Sequence, residues 1–107
     1  MAWVVEYTGE AAQDLKNLDK TQQIHVLKAV KKVSANPLLI TEGGYGKPLG
    51  NKVSGKLAGY MKIKLSALGL RVVYSIERKE GVMRIVIISV RDDSAVYKMA
   101  QKRIKGK

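Results

Sequence analysis

Hydrophobic residues follow two different periods along this chain. A short apolar run at 3–7 predicts a first strand, and apolar residues then recur at helical spacing. A helix capped by Thr8 and a second helix capped by Asp19 are each expected to bury one apolar stripe. The positions of these stripes are Ala11, Leu15 and Leu18, then Ile24, Leu27, Val30 and Val33. Asn36-Pro37 ends the second helix, because a residue before proline is pushed out of the helical region.

From residue 60 onward the period changes to two, which predicts strands at about 60–65, 70–77 and 83–91. The last of these is apolar on both faces, as is typical of a central strand. A helix over about 94–104 is expected to close the chain, and the Gly-rich segment 36–59 reads as a long surface connection. The pattern predicts one α+β domain over residues 1–107. We expect an antiparallel sheet of about four strands, with the two N-terminal helices packed on one face and a C-terminal helix.

Charge is distributed unevenly along the chain. The net charge is +11, yet the five lysines of residues 1–42 are matched there by five acids. Residues 43–107 hold ten lysines and five arginines against four acids and therefore carry the whole excess. A one-sided basic half is typical of nucleic-acid binding, since each neutralised phosphate releases counterions. An anionic membrane surface is a weaker alternative, because the basic half reads as strands rather than as an amphipathic helix.

Composition argues against several classes of site. The chain has no cysteine, which excludes a thiolate nucleophile, and His25 is its only histidine. We expect no metal: Asp92-Asp93 reads as a turn or helix cap rather than as a pair of metal ligands. We also expect no cofactor, since Gly50–Lys56 has P-loop spacing but Leu57 stands where magnesium needs a hydroxyl. The sequence shows neither a signal peptide nor a membrane span, so we expect a soluble, cytoplasmic protein without a membrane partner.

The predicted hairpin at 60–74 carries the most informative charges. Strand side chains alternate between faces, so Lys62 and Lys64 share the face opposite the apolar residues. If residues 66–69 form the loop, Lys64 lies directly opposite Arg71. Like charges placed opposite each other destabilise a strand pair by up to about 1 kcal/mol, and the segment contains no acid. This pattern indicates a binding site for a polyanion.

Register extends the prediction to the neighbouring strand. With a turn at 78–82, the expected pairs are Glu77 with Met83 and Arg71 with Ser89. Parity then places Arg91 on the face of the hairpin cations, and Tyr97 lies where it could lean over that face. Such cations could hold a phosphate while the ring stacks on a base. The alternative is that Tyr97 packs in the core and Arg91 is a solvated strand end.

Taken together, these motifs resemble the RelE family of bacterial toxins, the ribosome-dependent mRNA endonucleases of type II toxin–antitoxin pairs. The matching runs span almost the whole chain and are Lys47-Pro48-Leu49, Gly59-Tyr60-Met61-Lys62-Ile63-Lys64-Leu65, Gly69-Leu70-Arg71-Val72-Val73-Tyr74, Ile88-Ser89-Val90-Arg91 and Ser94-Ala95-Val96-Tyr97. The resemblance implies an active site of five side chains: Lys62, Lys64, Arg71, Arg91 and Tyr97. The segment before Tyr97 is shorter here than in the best-known member. Arg91 therefore keeps its spacing to Tyr97 but not to the preceding strand.

The resemblance implies a metal-independent endoribonuclease that cleaves mRNA in the ribosomal A site by attack of the 2′-hydroxyl. That reaction needs a base, an acid and cations for the phosphorane charge, and lysine would serve as the base. Further cations are expected to bind RNA or the ribosome: Lys47, Lys52, Lys56, Lys102, Arg103 and Lys105. The implied partners are a cognate antitoxin, the 30S A site with its ribosomal RNA, and mRNA. Operator DNA would be contacted only through the antitoxin complex.

A binding module on the same fold is the main alternative function. ParE-like relatives share the architecture, lack the cationic catalytic set and inhibit DNA gyrase. The presence of all five side chains in this sequence favours the nuclease. A sequence-specific DNA-binding protein is a third reading, and it lacks support because no helix-turn-helix pattern occurs.

Overall fold

The computed structural model describes residues 3–48 and 60–90, together with residues 96, 98–100, 102 and 103. A five-stranded sheet forms its centre, in the order β1-β5-β4-β3-β2. The strands are β1 (Val4–Tyr7), β2 (Lys47–Pro48), β3 (Met61–Leu65), β4 (Leu70–Glu77) and β5 (Val82–Ser89). β1 runs parallel to β5, whereas the other neighbouring strands are antiparallel. Within these ranges no helix combines the length and the apolar character needed to cross a bilayer.

The sheet confirms the α+β prediction but differs from it in strand number and direction. The segment expected to be a surface connection contributes β2, where Lys47 pairs with Lys62 and Pro48 with Met61. A two-residue strand is too short to produce an alternating pattern, which explains why the sequence did not reveal it. The first strand makes the sheet mixed rather than antiparallel, and strand direction depends on the path of the connecting helices rather than on local periodicity.

Two helices follow β1, and both begin at the predicted caps. α1 (Gly9–Lys16) starts after Thr8, whose hydroxyl accepts a hydrogen bond from the Ala11 N–H at 3.1 Å. α2 (Lys20–Ser34) starts with a capping box, in which the Asp19 carboxylate accepts from the Gln22 N–H at 2.8 Å. The Gln22 side chain in turn accepts from the Asp19 N–H at 3.1 Å. Side chains thus satisfy donors that a helix start leaves without intrahelical partners.

The main core lies between the helices and one face of the sheet. Its fully or nearly fully buried members are Ala11, Val26, Val30, Val33, Met61, Leu70, Val72, Tyr74, Met83, Ile85 and Ile88. The predicted α2 stripe is only half correct, because Ile24 and Leu27 remain 45% and 46% exposed while Val26 is fully buried. Val26, Val30 and Val33 also recur at helical spacing, four and three residues apart. The packing of α2 on the sheet therefore selects between two stripes that periodicity cannot separate.

A smaller apolar cluster lies on the other face of the sheet. Val73, Val86 and Ile87 there contact Val96 and Ala100 of the C-terminal segment. The described residues of that segment are helical, as the sequence predicted for this region. The second face is thus partly covered by chain that is far from α1 and α2 in the sequence.

Strand register agrees with prediction at the hairpin and shifts further along the sheet. Lys64 pairs with Arg71, and Gly69 closes the turn with a φ of +65°, a backbone conformation that favours glycine. Arg71 pairs with Ser89 as predicted. The predicted pairing of Glu77 with Met83 is wrong, because Glu77 pairs with Val82. The β4–β5 register shifts at a β-bulge. Val73 is opposite Ile87, Tyr74 is opposite Ile85, and Val86 is the extra residue between them.

Candidate functional site

Three of the predicted catalytic cations lie on the sheet face opposite α1 and α2. Lys62 and Lys64 are two residues apart on β3, and Arg71 on β4 is the direct cross-strand partner of Lys64. Side chains in such a pair start about 5 Å apart, so the charged groups of Lys64 and Arg71 can reach one small anion together. Arg71 also lies near the turn, where its Nη1 donates to the Gly69 carbonyl oxygen at 3.5 Å.

A fourth cation joins this face through the short strand β2. Lys47 pairs directly with Lys62, and cross-strand partners point to the same side of a sheet. Lys47 and Lys64 are exposed, whereas Lys62 and Arg71 are half-buried. We call Lys47, Lys62, Lys64 and Arg71 the cationic face. The sequence assigned Lys47 to RNA binding, but its place beside Lys62 became visible only with the β2–β3 pairing.

At the opposite end of this sheet face, charge is balanced. Arg84 Nη2 lies 3.2 Å from Glu6 Oε1, and the two side chains are 43% and 51% exposed. Glu6 and Arg84 are also register partners in the β1–β5 pair. Within the described part of the chain, no group of three or more His, Asp and Glu side chains could hold a metal ion. Positive charge therefore concentrates at the hairpin end of the sheet.

Apart from Arg103, the remaining predicted site residues divide into two groups. Lys102 is described and exposed, as a residue that contacts RNA must be. Five others lie outside the described residues, so their assignments stay predictions: Lys52, Lys56, Arg91, Tyr97 and Lys105. His25 lies exposed on α2, on the side of the sheet away from the cationic face.

Arg103 was predicted to bind RNA, but in the structure its side chain forms an ion pair with Asp14. Its guanidinium makes two hydrogen bonds to the Asp14 carboxylate, at 2.7 and 3.0 Å, and its side chain is only 15% exposed. Hydrogen bonding to Asp14 raises the pKa of Arg103 above its already high usual value. The charge that looked like part of a basic tail is thus neutralised inside the fold. An ion pair between residues so far apart in sequence leaves no local signal.

Comparison with known proteins identifies relatives of this chain. The chain is 30% identical over 108 aligned positions to a RelE-like toxin protein of Escherichia coli, covering 98% of this chain and all of that protein. This chain belongs to the RelE-like toxin family. No family model matches the sequence.

Solved structures show the same fold for this RelE-like toxin. A mutant E. coli toxin RelE in the free state superposes with a TM-score of 0.73 at 26% identity, covering 97% of this chain and 99% of that chain. The toxin in a RelBE toxin–antitoxin complex from Mycobacterium tuberculosis gives a TM-score of 0.67 at 23% identity, over 85% and 93% of the two chains. The family and fold predicted from the sequence are therefore confirmed.

The chemistry available to this RelE-like toxin follows from its donor types. Arg71 offers a planar fork that can bind two oxygens of one phosphate, whereas the lysines act as point charges. An ammonium group can also exchange a proton with a reacting oxygen. The cationic face thus combines groups that can bind a phosphodiester with groups that can take part in proton transfer.

Proposed function

We propose that this RelE-like toxin is a ribosome-dependent mRNA endonuclease that cleaves the message in the ribosomal A site and so inhibits translation. The observation that carries the proposal is the register of the hairpin, which sets Arg71 directly opposite Lys64 with Lys62 on the same face. These side chains can stabilise charge on a phosphodiester and take part in proton transfer without metal or histidine. Lys47, the direct cross-strand partner of Lys62, extends the positive surface beyond the hairpin.

In the proposed reaction the 2′-hydroxyl of the substrate attacks the adjacent phosphorus. A lysine of the cationic face, acting as the neutral amine, accepts the hydroxyl proton, and Arg71 stabilises the charge that develops on the phosphorane oxygens. The bond from phosphorus to the 5′-oxygen then breaks, and that oxygen takes a proton from an acid on the enzyme. The products are a 2′,3′-cyclic phosphate and a free 5′-hydroxyl. Arg91 and Tyr97 complete the set that the family resemblance implies.

Dependence on the ribosome follows from the kind of surface that carries these groups. The cationic face lies on the hairpin end of a sheet, and two of its four side chains are exposed. Such a surface attracts RNA but does little to align a 2′-hydroxyl with its phosphorus. Positioning alone can contribute several kcal/mol to catalysis, about 7 to 11 in favourable cases. We infer that the decoding site supplies this alignment, in the cytoplasm, where ribosomes translate.

A toxin with this activity needs an inhibitor, and we infer that a cognate antitoxin protein binds it. The inference is supported by the relatives of known structure, one of which is a toxin–antitoxin complex from Mycobacterium tuberculosis. We further infer that any contact with operator DNA is made through the antitoxin.

The test is primer extension on an mRNA that is being translated in a reconstituted system containing purified toxin. We expect cuts at A-site codons, little cleavage of the same RNA without ribosomes, and no loss of the cleavage step when divalent metal is removed after the complex has formed. Arg71→Ala is the matched control. Equal cleavage of naked and ribosome-bound RNA would contradict the proposal. Gyrase-dependent DNA breaks with intact mRNA would favour the ParE-like alternative.

A further inference from the structure

The outer edge of β5 is only half covered by its neighbouring strand. β1 pairs with residues Val82–Ile85, and the Thr8 N–H donates to the Ile85 carbonyl at 3.0 Å before the chain turns into α1. From Val86 onward this edge needs other partners, because an unpaired strand edge leaves backbone donors and acceptors unsatisfied.

Two side chains fill the uncovered half of this edge. The Asp14 carboxylate of α1 accepts a hydrogen bond from the Ile88 N–H at 3.0 Å. The Arg103 guanidinium donates to the Val86 carbonyl at 2.9 Å. One acid and one base thus replace the acceptor and the donor that a further strand would have supplied.

The same two side chains are bound to each other, and we call them the edge pair. The Asp14–Arg103 contact is bidentate, at 2.7 and 3.0 Å, and each side chain is 15% exposed. Glu10 adds a second carboxylate 3.6 Å from Arg103 Nε. Charge-assisted bidentate pairs are among the stronger and more directional contacts in proteins. The edge pair therefore connects three parts of the fold: α1, β5 and the C-terminal segment.

The edge pair lies beside the sheet face that carries the proposed active site. Val86 is the bulge residue of β5, and its side chain packs against Val96 and Ala100 of the C-terminal segment. The cationic face lies on the same side of the sheet, on β4 and on the strands beyond it. In the sequence Tyr97 directly follows Val96. A shift of the segment relative to β5 would therefore move residues next to Tyr97 relative to Arg71.

We propose that Asp14 and Arg103 are positioning residues of the toxin. They hold the C-terminal segment against β5 and thereby set the place of Val96, which precedes Tyr97 in the sequence, relative to Lys64 and Arg71. Neither residue of the edge pair needs to touch the substrate. The inference rests on the proposed function only for its effect on catalysis, since the attachment of the segment is testable by itself.

Two conservative variants separate the parts of this contact. Asp14→Asn keeps an oxygen for the Ile88 N–H but removes the charge that binds Arg103. Arg103→Lys keeps the charge but removes the planar fork. We expect both to lower the single-turnover cleavage rate at saturating ribosome by about 10-fold, because small displacements of reacting groups cost up to about 100-fold in rate. The ribosome concentration for half-maximal rate should stay within about a factor of two.

A double-mutant cycle shows whether the effect passes through the C-terminal segment. In a Tyr97→Phe background, Asp14→Asn should lower the rate by less than about twofold, because the group that it misplaces is already missing. In an Arg71→Lys background, it should still cost the full factor of about 10. A purely structural contact would instead give the same loss in both backgrounds, and that result would overturn the positioning role.

The exposed Glu6–Arg84 pair provides the matched control, because it also joins β5 to a neighbouring element, in this case β1. Hydrogen exchange measured by mass spectrometry should be faster over residues 96–103 in both edge-pair variants and unchanged in Glu6→Gln. Unchanged exchange in Asp14→Asn and Arg103→Lys would overturn the attachment itself. If the wild-type toxin cuts no mRNA, the proposed function fails, and hydrogen exchange alone then decides whether the edge pair holds the segment.

Discussion

Arg71 illustrates how the neighbours of one residue define its chemistry. It faces Lys64 across one strand pair and Ser89 across the other, and its guanidinium reaches back toward the Gly69 carbonyl at the turn. Its side chain is half-buried, which limits the positions it can adopt. A guanidinium held in this way can act as a preorganised donor rather than as a diffuse surface charge.

Substitution of Arg71 separates catalysis from electrostatic attraction. Arg71→Ala should slow single-turnover cleavage at saturating ribosome by at least about 100-fold, or about 2.7 kcal/mol, as loss of one preorganised oxyanion donor does. Arg71→Lys should recover only part of the rate, because a point charge cannot replace a planar fork. Lys102→Ala is the control and should mainly weaken ribosome binding. If Arg71→Ala behaves like Lys102→Ala, the hairpin is only a docking surface.

Tyr74 links the segment after α2 to the sheet. Its ring is fully buried, and its hydroxyl donates to the Pro37 carbonyl at 2.8 Å. Gly46 packs against the same hydroxyl, and a Cβ there would also lie 2.8 Å from the Met61 sulfur. This close approach is possible only for a residue without a side chain.

Tyr74→Phe should lower the free energy of unfolding by about 1 to 3 kcal/mol, since it leaves the Pro37 carbonyl without its partner. Tyr45→Phe, at a side chain that is 49% exposed, should change it by less than about 0.5 kcal/mol. Denaturant titration measures both values. Burial also raises the pKa of Tyr74. Stability should therefore decline at alkaline pH, where the unfolded chain loses this proton first, and Tyr74→Phe should reduce that decline.

At the scale of elements, α2 shows how packing selects among equivalent patterns. Val26 is fully buried against the sheet, while Leu27, one residue further, is 46% exposed. Both belong to apolar stripes with helical spacing. The orientation of α2 about its axis is therefore a property of its contact with the sheet.

Substitutions at Val26 and Leu27 test which of the two apolar stripes of α2 faces the sheet. Val26→Ala should lower the free energy of unfolding by about 2 kcal/mol or more, because it removes buried methyl groups and leaves a cavity. Leu27→Ala removes more atoms but should cost less than about 1 kcal/mol, because its side chain is half in water. Equilibrium denaturation of the two variants is the measurement. The reverse order would show that α2 is turned the other way in solution.

At the scale of the whole molecule, the two faces of the sheet differ in what they contact and in their charge. One face is closed by α1, α2 and the main core, whereas the other combines a smaller apolar cluster with the cationic face. The net charge of +11 adds a long-range attraction for RNA. Affinity for the ribosome and turnover of the bound message should therefore respond differently to ionic strength.

Raising the salt concentration should weaken ribosome binding along a straight line in a log–log plot, since bound phosphates release counterions. The cleavage rate at saturating ribosome should change little over the same range. Lys47→Ala should reduce the slope by about one unit, as removal of one phosphate contact does. Binding assays and single-turnover kinetics at matched salt concentrations give the two quantities. A slope that stays the same in Lys47→Ala would show that this lysine contacts no phosphate.

Local interactions explain what the sequence alone determined. The caps at Thr8 and Asp19 and the hairpin register that pairs Lys64 with Arg71 depend on residues within a few positions of each other. Helix capping and strand alternation act over this range and leave a visible pattern. For the same reason Lys62, Lys64 and Arg71 could be placed on one face from the sequence alone.

Tertiary contacts decided the rest. The parallel pairing of β1 with β5, the short strand β2 and the bulge at Val86 all depend on how distant segments meet. The clearest case is Arg103, which looked like one charge of a basic tail and is instead bound to Asp14, 89 residues earlier in the chain. The two side chains meet at the part of the β5 edge that β1 does not cover, where backbone groups without a strand partner need another donor and acceptor.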